Sequence, residues 1–153
     1  MKMQLAETID AGRDAVFARF ADVDSWSESI EGITALDRMG EDGPLKVGSQ
    51  FRETRVMFGK EATETFTVTQ LTAPEVLTLR SESCGAEFVC RHDFEETADG
   101  RTRVTLDVRS KPLTLFAKVM SPMSVLMKGA MRKAMQKDLA EMKAACEAAP
   151  AAT

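Results

Sequence analysis

The segment EATETFTVTQL, Glu61–Leu71, decides how the chain is read. Thr63, Thr65, Thr67 and Thr69 alternate with a second set made of Ala62, Glu64, Phe66 and Val68. A period of two puts successive side chains on opposite faces of a strand, so a hydroxyl face meets water and an apolar face turns inward. Working outward, Thr72-Ala73-Pro74 turns into a strand over Val76–Glu82, and Cys84-Gly85 turns into another over Ala86–Thr97. Asp99-Gly100 is a hairpin signal ahead of Thr102–Arg109. Upstream, Gln50–Phe58 and Ile33–Met39 are strands separated by the Gly40–Pro44 loop.

Helical spacing frames this β region on both sides. Met3–Ile9 is a short strand, followed by a helix over Arg13–Ala21 with Val16, Phe17 and Phe20 on one face. A helical turn over Asp24–Ser29 holds the single Trp26, with Asp24 as its cap. Pro112 closes the strands. Ser121-Pro122 then reads as N-cap and first position of a long helix, Pro122–Glu147. Its stripe is Met123, Met127, Ala130, Met131, Ala134, Met135, Leu139 and Met142.

Seven antiparallel strands with one apolar face need a cover, and only the C-terminal helix is long enough to cross them. The expected fold class is α+β: a curved seven-stranded sheet around a long helix, in the order β-α-α-β6-α. Residues 1–147 form one domain and 148–153 a disordered tail. A curled sheet leaves space beneath a straight helix, and that space is the natural ligand site.

Composition narrows function by exclusion. The chain has 153 residues, 44% hydrophobic and 29% charged, with net charge −4. This balance argues against a nucleic-acid binder, and no apolar run reaches the ~20 residues of a membrane span. The first residues, MKMQLAETIDAGRD, lack the apolar stretch of a signal peptide, so a cytoplasmic location is expected. Cys84, Cys90 and Cys146 make no CxxC pair, His92 is the only histidine, and tyrosine is absent. Neither a metal nor a cofactor is expected.

Two side chains on inward faces are catalytic candidates. His92 shares a face with Phe88, Cys90 and Phe94, either as a base or ligand-orienting donor poised near neutral pH, or as a core histidine. Glu64 is either a carboxyl of raised pKa that protonates a ligand carbonyl or anchors a cation, or an ion-pair partner of Arg55. Pairing Gln70 with Leu77 sets Glu64 opposite Ser83, and pairing Ser83 with Ala86 sets Leu77 opposite His92. The two candidates then stand about 20 Å apart at ~3.3 Å per residue, so they form no dyad. A three-residue turn at Asp99-Gly100-Arg101 puts Val108 opposite His92 and Leu106 opposite Phe94. His92 is expected near the end where the long helix begins, and Glu64 near the other. Glu53 and Arg55 lie in a strand of two mixed faces, where an outward ion-paired ladder is the expected account.

The expected lining of the cavity is Phe66, Val68, Leu77, Leu79, Phe88, Cys90, His92 and Phe94 from the sheet, with Met123, Met127 and Met131 from the helix. Methionine moulds to irregular ligands and equally fills core gaps. Gly129, Ala130 and Ala134 beside the methionines favour a void under the helix. Residues 111–147 carry seven Lys/Arg against three Asp/Glu. A membrane-surface role for this basic helix is disfavoured, because the fold already engages its apolar face. The expected partner is a small hydrophobic molecule, with a homodimer left open.

The order of elements resembles the START-like, or SRPBCC, superfamily of helix-grip proteins, which includes polyketide cyclases/dehydrases and lipid-transfer domains. The resemblance is carried by IDAGRDAVFARFADVDSW (Ile9–Trp26), KVGSQFRE (Lys46–Glu53), VTQLTAPEVLTLRS (Val68–Ser81), DGRTRVTL (Asp99–Leu106) and KDLAEMKAACE (Lys137–Glu147). The family often shows Trp-Pro-x-Trp in its second helix, where this chain has Trp26-Ser27-Glu28-Ser29. The resemblance implies either a non-catalytic container for a hydrophobic or amphipathic ligand, or a cyclase/dehydratase acting on a polyketide-like or aromatic substrate. The container is preferred, since so little acid/base apparatus is present.

Overall fold

Alternation of apolar and polar side chains carries seven strands, and short turns hold them in one sheet. The computed structural model describes residues 1–57 and 59–148, without the side chains of residues 121–126. The strands are β1 (Lys2–Ile9), β2 (Ile33–Met39), β3 (Gln50–Met57), β4 (Lys60–Thr72), β5 (Val76–Ser83), β6 (Ala86–Glu96) and β7 (Thr102–Pro112). They pair antiparallel in the order β1-β7-β6-β5-β4-β3-β2. The helices are α1 (Arg13–Ala21), α2 (Trp26–Ser29), α3 (Leu115–Val119) and α4 (Ser121–Ala148). The α+β helix-grip architecture expected from the sequence is the one found. The expected tail begins inside α4, because Ala148 is helical, and residues 149–153 lie outside the described residues.

Three local expectations need correction. Asp24 caps nothing: a 3-10 turn, Val23–Ser25, runs into α2, and Asp24 pairs with Arg38 at 3.5 Å. The turn between β6 and β7 is centred one residue earlier than expected, with His92 opposite Leu106 and Phe94 opposite Val104. The cause lies in Thr97, whose amide donates to the Arg101 carbonyl at 2.9 Å while its Oγ1 accepts from the Arg101 amide at 3.0 Å. The slip is two residues, so every side chain keeps its face. Finally, α3 lies between Pro112 and Ser121, where the sequence reading placed no element.

The β4–β5 hairpin shows how a bulge hides an error. Near the turn Gln70 faces Thr78, one residue away from the expected pairing. A register shift between Val68 and Gln70 restores it, so that Phe66 faces Ser81 and the line continues toward Glu64 and Ser83. The β5–β6 register, with Leu77 opposite His92 and Ser83 opposite Ala86, is as expected. Cys84 and Gly85, both at positive φ, form the two-residue turn between these strands, a geometry that matches strand twist.

α4 is fastened at its C-terminal half. Leu139, Met142 and Cys146 are buried, and each large apolar side chain so buried contributes roughly 2 kcal/mol. Lys143 Nζ donates to the Thr8 carbonyl at 2.7 Å, and Glu147 Oε1 accepts from the Asp10 amide at 2.9 Å. Glu141 Oε2 accepts from the Glu31 amide at 2.8 Å. The first half is different: Met127 is 45% exposed although it continues the inward stripe, and Gly129 and Ala130 are exposed. The helix thus grips β1, α1 and α2 at one end and stands away from the sheet at the other.

Candidate functional site

The chain leaves β7 at Pro112 beside the Cys84-Gly85 turn, since Ala86 pairs with Pro112. α4 therefore begins at the Glu64–Ser83 end of the sheet and runs back toward Thr8 and Asp10. This reverses the expected placement: Glu64 lies toward the start of the long helix and His92 toward its finish. The separation stands, because Leu77 and Ser83 are six positions apart along β5, about 20 Å.

His92 is walled in. It is buried, with the Phe20 ring edge-on at 5.7 Å and Phe94 stacked at 6.5 Å. Burial pushes its pKa down to about 4, against a smaller opposing effect of the Leu77 backbone. At neutral pH it is an uncharged ring inside an aromatic cluster completed by Phe17, which meets Phe94 at 5.1 Å. Desolvation thus favours the core-histidine reading over that of a base poised near pH 7.

Charge gathers instead around β3. Phe51, Glu53, Arg55 and Met57 share the concave face: Phe51 and Glu53 are buried, and Phe51 stacks on Phe66 at 5.4 Å. The outward ladder is corrected, because Arg55 points under α4. Its Nε donates to Glu53 Oε1 at 2.7 Å and its Nη1 to Asp138 Oδ2 at 2.8 Å. Glu64 is the register partner of Glu53 and lies beside Ser83. Three carboxyls thus share one guanidinium. Burial raises the pKa of Glu53, Glu64 and Asp138 alike, and Arg55 offsets it only partly. Burial also weighs most on Arg55, but the Glu53 and Asp138 charges outweigh it and hold the guanidinium protonated.

The expected lining divides in two. Val68, Leu77, Leu79 and Phe94 are buried with His92 and belong to the packed core. Phe66, Phe88, Cys90 and Met131 are half-buried, and Met127 is exposed, which places them at the open half beneath α4. The Met123 side chain lies outside the described residues. Burial, with the nearby Glu64 and Glu53 charges, pushes the Cys90 thiol up to about 12, so it is no nucleophile at neutral pH. A cleft of about 180 Å³ between the β3 edge and α4 is lined by Arg55, Met57, Ala130, Ala134 and Asp138. A second, of about 250 Å³, lies between α1 and the end of α4, around Ala15 and Cys146. Neither reaches His92 or Glu64, and each is smaller than a typical ligand pocket of ~300 Å³ or more.

Glu53, Arg55 and Asp138 were not singled out by sequence reading as a site. Two signals pointed to them. Phe51 fixes the inward face of β3, and Asp138 falls on the stripe of Met131, Met135 and Met142 at helical spacing.

Comparison with known proteins agrees with this architecture. A search of curated proteins by sequence found no match. Among solved structures, a Thermus thermophilus protein, TTHA0849, superposes with a TM-score of 0.75 at 14% identity, covering 95% of this chain and 97% of that one. The di-domain ARO/CYC BexL from the BE-7585A biosynthetic pathway gives a TM-score of 0.79 at 17% identity, covering 98% of this chain and 51% of that one. Ginseng major latex-like protein 151 from Panax ginseng gives 0.73 at 15% identity, covering 94% and 95%. These likenesses establish the helix-grip fold. The family model described as "Polyketide cyclase / dehydrase and lipid transport" matches residues 1–147, nearly the whole of the sheet and the helix it grips, and the chain belongs to that family.

Proposed function

We propose that the protein is a container for a small hydrophobic or amphipathic molecule, held between the concave face of the sheet and the first half of α4, and that it does not transform it. One observation carries this reading: Phe66, Phe88 and Cys90 stand half-buried on the concave face, beneath a helix whose Met127 is exposed. Apolar side chains left unpacked beside flexible methionines suit an adaptable ligand surface. The Glu53–Arg55–Asp138 cluster lies at its margin and would receive a polar end of the ligand. The three unpaired cysteines fit a reducing, cytoplasmic compartment.

The second reading is a cyclase/dehydratase-type enzyme, favoured by the raised pKa of Glu64 beside Ser83. A carboxyl that burial makes hold its proton more tightly can donate to a ligand carbonyl when positioning does the rest. Titration with a fluorescent hydrophobic probe, anilinonaphthalene sulfonate, tests the first reading. Phe88→Glu should weaken probe binding at least tenfold, whereas Val47→Glu on the exposed surface should not; equal binding by both variants overturns the container. Incubation with an aromatic polyketide mimic separates the two readings. Conversion that disappears in Glu64→Gln while binding persists supports the enzyme, and binding without conversion supports the container.

A further inference from the structure

The segment that leads from β7 through α3 into α4 is both apolar and basic, beside a Cys84-Gly85 turn whose Glu82 and Glu87 are already paired with Arg80 and Lys111. Leu113, Leu115, Phe116, Val119 and Met120 are all exposed, with Leu115, Phe116 and Val119 at 78%, 72% and 69%. Such clustering in one short segment is unlike the scattered exposed leucines of an ordinary surface, and it marks an interaction site. The segment is also held in place. The Leu113 and Thr114 amides donate to the Gly85 carbonyl at 2.7 and 3.3 Å, and Thr114 Oγ1 caps α3 by accepting from the Ala117 amide at 3.1 Å. Gly85 leaves the room this docking needs, since a Cβ there would stand 2.6 Å from Thr114 Oγ1. The apolar side chains of α3 are thus presented outward from a fixed base.

Charge identifies what covers them. Residues 108–137 contain seven Lys/Arg and no Asp or Glu, in a chain whose net charge is −4. Lys118, Arg132 and Lys133 are exposed and Lys128 is half-buried, and no ion pair among the described residues engages any of the four. A second copy docked face to face would bring two basic patches together, which argues against self-association here. The apolar part is a single protruding helical turn, not a groove shaped for a partner's side chains. Apolar side chains flanked by Lys and Arg are what an anionic bilayer surface accepts.

We infer that α3 and the adjoining face of α4 dock on an anionic membrane surface, with Leu115, Phe116 and Val119 entering the headgroup region and Lys118, Lys128, Arg132 and Lys133 meeting anionic headgroups. The disfavoured membrane role is thereby revived on new grounds, because the side chains that would enter the bilayer are those of α3, which the fold leaves unpacked. The open half beneath α4 lies at the same end, so docking brings its mouth to the bilayer. This inference goes beyond the container reading and is tested without any ligand.

Co-sedimentation of the full chain with vesicles of phosphatidylcholine, alone or enriched in phosphatidylserine, reads it directly. Binding should appear with phosphatidylserine at low salt and weaken at high salt, as charge screening requires. Leu115→Asp with Phe116→Asp should reduce partitioning at least tenfold, and Lys118→Ala about fivefold. Both variants should keep the wild-type circular dichroism and probe binding, because the altered side chains are exposed. Absence of vesicle binding at low salt overturns the inference, as does binding that the double variant leaves unchanged. A solution dimer that Phe116→Asp dissociates, or an acidic protein that competes away α3 without vesicle binding, also overturns it.

Discussion

Glu53 and Glu64 stand directly opposite one another on β3 and β4, two carboxyls facing the same concave surface. Like charges so placed repel across a strand pair, and burial of Glu53 removes the water that would screen them. Arg55 donates to Glu53 through one nitrogen and to Asp138 through another, which leaves Glu64 with a hydrogen bond to Ser83 and only the more distant charge of Arg55.

Glu64→Gln should therefore stabilise the fold by up to about 1 kcal/mol at pH 8. A carboxyl whose folded pKa is raised holds its proton more tightly in the folded state, so ionising it at high pH costs stability. The gain from Gln should shrink as the pH falls and the wild-type carboxyl is protonated. Urea unfolding at pH 8 and pH 5 measures this, and an equal effect at both values would contradict it.

Arg55→Met should cost about 3 kcal/mol at neutral pH, because it strands Glu53 and Asp138 beneath α4 without a partner. The loss should lessen toward acidic pH, where those carboxyls are neutral. Arg55→Lys should recover only part of it, since an ammonium cannot match the two-pronged geometry. Thermal or urea unfolding across pH checks all three outcomes.

His92 should remain uncharged well below neutrality. Its pKa is lowered by burial from 6.5 to about 4, so the unfolded chain takes up this proton more readily than the folded one. The stability tied to the neutral ring is complete above pH 6.5 and is lost as the pH falls through that window. The full amount is roughly 3 kcal/mol, and the difference in pH dependence between wild type and His92→Phe isolates it from the carboxyls. An imidazole proton resonance that titrates near 6.5 would show the ring to be solvated.

Period-two alternation made the strands legible, and Leu77, Val68 and Phe94 were placed on the buried face by that rule alone. The Glu64–Ser83 adjacency was also reached from sequence, through two compensating facts: a turn one residue different from the one assumed, and a bulge that takes the difference up. Turn chemistry was the weak link again at Thr97–Arg101, where bonds between these two residues close the turn one residue earlier than Asp99-Gly100 alone suggested. The charged site was less legible. Phe51 sets the inward face of β3 and the methionine stripe sets that of α4, but no local pattern shows that Arg55 and Asp138, 83 positions apart, meet across the two elements. α3 escaped because a five-residue helix with four exposed residues carries no burial periodicity.

The unequal seating of α4 means that the two ends of the molecule obey different rules of change. At the Lys143–Glu147 end, any altered side chain must be refitted among Leu139, Met142 and the α1 face. At the Met127 end, a substitution meets few neighbours, so the interior can be reshaped there while the framework that keeps the chain folded stays as it is.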